Sequence, residues 1–150
     1  MILRQQGGIQ IEMSILGYQF PDGVHDWHDL NWLNILVRVE TVGANWTGGP
    51  DPSLLTTEAQ KLATWLRAAG DGRAVEHLAF LEPDLSFDVV RPPDERGIPV
   101  AVTLKHAFVK RQTLVSVPVR ELPLVLYVAP ADLLEAASAL ETDLLRFPAR

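Results

Sequence analysis

His25-Asp-Trp-His-Asp29 sets two imidazoles, two carboxylates and an indole in five consecutive positions. Imidazole and carboxylate oxygen are zinc donors, and a loop carrying them can wrap one ion. The His-x-x-His spacing matches no established zinc site, however, and no third histidine is near in sequence. The stretch therefore reads as a polar, aromatic loop holding no metal. His77 and His106 fall in expected strands, His106 in register with Leu104 and Phe108. A histidine there is expected to be satisfied by a neighbour at the core boundary. Glu82-Pro83-Asp84 places two carboxylates across a proline turn, where solvated acids are the ordinary outcome. General acid/base work needs a nucleophile and an orienting group as well, and the sequence supplies no Gly-x-Ser-x-Gly elbow. Gly48-Gly49 is followed by no Lys-Ser/Thr, so it is no phosphate loop. These residues give a non-enzyme with no catalytic residues and no cofactor.

Charge is more informative than any motif. The formal net charge is −6. From Gln5 to Gln60 the only basic residue is Arg38, against Glu12, Asp22, Asp26, Asp29, Glu40, Asp51 and Glu58; the rest of the chain is balanced. An acidic segment repels nucleic acid and attracts basic partners. Lys110-Arg111 is an isolated basic step, too small for a nucleic-acid-reading face. The four tryptophans are Trp27, Trp32, Trp46 and Trp65. Trp32 and Trp65 are expected in or beside the core. Trp27 and Trp46 fall in or beside loops, where an exposed indole is a typical interface anchor. Asp22, Asp26, Trp27, Asp29 and Trp46 are therefore the candidate partner-binding residues.

The elements that must position them follow from periodicity. The 150 residues, 47% hydrophobic and 21% charged, suit one folded domain with a real core. Cysteine is absent, which excludes disulfides and thiolate metal sites. The start shows no signal-peptide pattern, and Leu122 to Ala129, the longest apolar run, is too short to span a bilayer. A cytoplasmic protein without membrane contact is expected. Leu33, Ile35, Val37 and Val39 alternate with polar neighbours, as in a strand with one buried face. Ile9 to Ile15 alternates in the same way, and Trp46-Thr47 reads as a short strand ended by Gly48-Gly49-Pro50-Asp51-Pro52. A helix is expected from Thr57, with Ala59, Leu62, Ala63, Leu66 and Ala69 as its stripe and Gly70 as its left-handed terminator. Further strands are expected at His77 to Leu81, Leu85 to Val90, Ile98 to Lys110 and Leu122 to Ala129. A second helix, from about Ala131 to Phe147, carries Leu133, Ala137, Leu140 and Leu144. The expected architecture is α+β: a mainly antiparallel, curved sheet of about five to seven strands with two helices on one face. The last strand is apolar on both sides, so its outer face calls for sheet curvature or a homodimer.

Six segments together resemble a known family. They are Ile15-Leu-Gly-Tyr-Gln-Phe-Pro21, Asn31-Trp-Leu-Asn-Ile35, Asp51-Pro-Ser-Leu-Leu-Thr56, Leu62-Ala-Thr-Trp-Leu66, Phe80-Leu-Glu-Pro-Asp-Leu-Ser-Phe87 and Leu145-Arg-Phe-Pro148. Their order and spacing resemble small bacterial proteins of the WapI-type immunity family, from roughly Ile9 to Pro148. The resemblance implies a protein partner, namely a toxin domain that the chain binds and blocks. The family pattern contains no catalytic residues. His25 to Asp29 and Lys105 to Glu121 depart from it, and the resemblance implies that specific recognition would lie in such stretches. A small-ligand-binding domain is the competing reading; a deep apolar pocket with converging polar groups would favour it.

Overall fold

A computed structural model describes residues 1–22, 26–109 and 121–150. Sheet A is an antiparallel meander of β1 (Ile2–Arg4), β2 (Gln10–Tyr18), β3 (Trp32–Glu40) and β4 (Asn45–Leu55), in that spatial order. The short helix α1 (Trp27–Asn31) lies in the connection from β2 to β3, and α2 (Thr56–Gly70) follows β4 directly. Sheet B repeats the plan with β5 (Leu78–Ala79), β6 (Leu85–Val89), β7 (Ile98–Lys105) and β8 (Glu121–Val128), again in sequential order, followed by α3 (Pro130–Arg146). A 3₁₀ turn, His106–Phe108, ends β7. The single curved sheet expected from the strand count is thus two four-stranded sheets, each followed by a helix. Sequence periodicity counts strands but carries no signal of where one sheet stops and the next begins.

Alternation does its expected work. Leu33, Ile35, Val37 and Val39 of β3 are buried beside Ile11 and Met13 of β2. Phe87, Val100, Val102, Leu104, Leu126 and Val128 form the inner face of sheet B. The helix stripes Ala59, Leu62, Ala63 and Leu66 and Leu133, Ala136, Ala137 and Leu140 complete one contiguous core. The two helices pack on each other, α2 touching β4 and α3 touching β1. Gly70 lies at that crossing; a Cβ there would stand 3.0 Å from Leu134. Gly70 is the last helical residue, and Gly72, at φ +73°, takes the left-handed position that ends the helix. Arg67 and Glu141 join the two helices by an ion pair at 2.6 Å. The outer side of β8 is covered at Tyr127 by the Arg96 guanidinium, 4.1 Å from the ring centroid, while Val125 stays 42% exposed.

Two local expectations are corrected. Gly48 to Pro52 does not end a strand: β4 runs through it with irregular register and a cis Gly49-Pro50 bond. The missing side chain at Gly48 is what lets the 3₁₀ turn approach, since a Cβ there would lie 2.5 Å from the Phe108 Cα. Trp46 lies in β4, as the strand reading of Trp46-Thr47 expects, near the start of the strand. Finally, the expected strand from Ile98 stops at Lys105, and His106 leaves its register at φ +44°.

Candidate partner-binding surface

The connection from β2 to β3 is built on Asp26. Its carboxylate accepts from the Asp29 N–H at 3.0 Å, capping α1. The expected loop at Asp26 to Asp29 is therefore a helix start, a role the Asp-x-x-Asp spacing permits but does not announce. Trp27 opens the helix 46% exposed, its ring edge-to-face with His28 at 5.2 Å. Asp22 is exposed on the same connection. His25 lies outside the described residues, and so does Lys110-Arg111. Among the described residues no three His, Cys, Asp or Glu side chains gather as a metal site.

What fixes α1 is Asn31, which is fully buried. Its amide nitrogen donates to the Trp27 carbonyl at 2.7 Å and to the Arg150 carbonyl at 3.1 Å. Its amide oxygen accepts from the Thr56 hydroxyl at 3.0 Å and the Arg150 N–H at 2.9 Å. The chain near Arg150 thereby docks on α1. The Arg150 guanidinium lies 3.7 Å from the Tyr18 ring centroid and donates to the Pro21 carbonyl at 2.9 Å. Tyr18 in turn donates to the Pro148 carbonyl and meets Phe147 edge-on at 5.7 Å. A positive charge thus stands one residue from Asp22, so this end of the molecule is less purely acidic than the segment's composition suggests. Sequence reasoning missed Asn31 and Arg150. The only hint was an amide at the entry to an apolar run.

Asp22, Asp26, Trp27 and Asp29 therefore share one connection, whereas Trp46 does not join them. Trp46 pairs with Val39, seven positions along β3 from Trp32 and roughly 23 Å away at strand rise. Its indole N–H donates to the Phe108 carbonyl at 3.0 Å, tying β4 to the 3₁₀ turn.

A second polar group joins the two sheets. Asp84, at the entry to β6, bonds the His106 Nδ1 at 2.5 Å. The buried Ser53 hydroxyl lies 3.3 Å from its other oxygen and 3.0 Å from an Asp51 carboxylate oxygen. Serine, histidine and aspartate are all present, yet the order is wrong for nucleophilic catalysis. A triad places the imidazole between acid and hydroxyl; here the acid lies between, and Ser53 has no exposure to substrate. The group is a structural pin. The expectation for His106 holds in its pairing but not in its burial, because its side chain is 64% exposed. His77 lies 3.7 Å from Asp88 across the edge of sheet B.

The described residues thus form an α+β scaffold with an exposed tryptophan on a pinned connection. The chain belongs to the Immunity protein WapI-like family, whose model matches residues 1–148. No curated protein and no solved structure matched. Membership implies a protein partner and, in general, a toxin-blocking role. No helix among the described residues is long and apolar enough to cross a membrane.

Proposed function

We propose that this protein is a stoichiometric, non-catalytic inhibitor that binds a cognate toxin domain in the cytoplasm and covers that domain's basic surface. The observation that carries the reading is Trp27, half exposed on a pinned helix and flanked in sequence by Asp22, Asp26 and Asp29. An exposed indole supplies the apolar anchor of an interface. The surrounding carboxylates speed encounter with a basic partner and discriminate against acidic ones. A toxin that acts on nucleic acid needs a basic site, which gives an acidic inhibitor something to occlude. Trp46 is a weaker candidate, because its polar edge already serves the fold. The test is to recover the protein's partner by pull-down from the native cell and to express that toxin domain alone with and without this protein. One-to-one complex formation with loss of toxicity is expected. Toxicity that persists beside abundant folded protein contradicts the proposal.

A further inference from the structure

We infer that Asn31 is the positioning residue that fixes Trp27 as an interface anchor; the inference rests on the binding reading above. Helix α1 spans only Trp27–Asn31. A helix of that length has no stability of its own in water. Its geometry must come from contacts outside it. Asn31, at zero exposure, supplies three of them, two with the Arg150 backbone and one with Thr56, and its fourth hydrogen bond stays inside the helix. One donated bond, 2.7 Å, goes to the carbonyl of Trp27 itself. One accepted bond comes from Thr56, the first residue of α2, which is anchored in the core. The amide therefore couples the backbone under the exposed indole to the rigid body of the protein.

An anchor held in its bound geometry loses less freedom on association, and the gain appears in the lifetime of the complex. The partner that fits is a protein domain with an apolar slot sized for an indole. Asn31 never touches that partner; it acts through Trp27.

The experiment is a double-mutant cycle on Asn31→Asp and Trp27→Ala, read as association and dissociation rates. The probe is the toxin domain recovered with this protein by pull-down, catalytically inactivated. Asn31→Asp keeps the shape and removes both amide hydrogens. Thr56→Val, which cuts a single bond to the amide oxygen, stands in if the first variant fails to fold. Dissociation is expected to quicken roughly tenfold, with association changed less than about twofold. In the double variant the loss should not exceed that of Trp27→Ala alone, a non-additivity that general destabilisation does not produce. Additive losses, or an unchanged dissociation rate in a folded variant, overturn this inference alone. No binding by the unsubstituted protein overturns the binding reading and this inference with it.

Discussion

The Glu58 carboxylate reaches the backbone of Leu81, accepting its N–H at 2.7 Å while its other oxygen accepts the N–H of Leu55 at 3.0 Å. One side chain thus caps α2 and ties it to the turn between β5 and β6 of sheet B. Glu58→Ala leaves two buried-side donors unmatched and should cost ~2–3 kcal/mol in urea unfolding. Glu58→Gln keeps one acceptor and should cost about half as much. Equal, negligible losses in both variants would show the clamp to be unimportant.

The close approach of β4 to the 3₁₀ turn gives a second expectation. Gly48→Ala drives a methyl against the Phe108 backbone at 2.5 Å, where neither strand nor turn can yield cheaply. The expected loss is about 1–3 kcal/mol. Gly43→Ala, with nothing within 4 Å of the new methyl, should be neutral or slightly stabilising. Thermal unfolding of the two variants side by side checks the contrast.

His106 combines a left-handed backbone with a bond to buried Asp84. His106→Ala loses the bond and keeps the strain. His106→Asn can keep a donor, and asparagine accepts this backbone region more readily. The alanine variant should therefore be the less stable by about 1 kcal/mol. The reverse ranking by chemical denaturation would refute the pin.

Asp94 gives a pH expectation. Hydrogen bonds from the Arg96 side chain and backbone hold its carboxyl below the usual carboxylate range. A folded-state value below the unfolded one contributes stability above the unfolded value and loses it as pH falls through the folded value. NMR titration should place Asp94 below ordinary aspartates, and Arg96→Ala should return it toward them.

The strands and helices whose residues repeat at a regular interval were readable from sequence: Leu33 to Val39 announces β3, and Leu133 to Leu140 announces α3. Elements set by distant partners were not. Gly48 and Pro50 argue locally against a strand, yet β3 on one side and Phe108 on the other hold β4 in place. Helix α1 has too few residues to show a period, and Asn31 meets the backbone of Arg150 across 119 positions. The acidic, aromatic character of the candidate surface was visible in Asp22 to Asp29. Its anchoring by a buried amide was not, because no spacing rule links those residues.

The central claim is that the carboxylates around Trp27 guide a basic protein partner onto this end of the molecule. Association rates with the inactivated toxin domain test it most directly, comparing the unsubstituted protein with Asp22→Lys/Asp29→Lys, which spares the Asp26 cap, and with the triple variant that adds Asp26→Lys. Association should slow at least about tenfold at low ionic strength, with the gap narrowing as salt is added. Association rates unchanged by the reversals, in folded protein, would contradict the account.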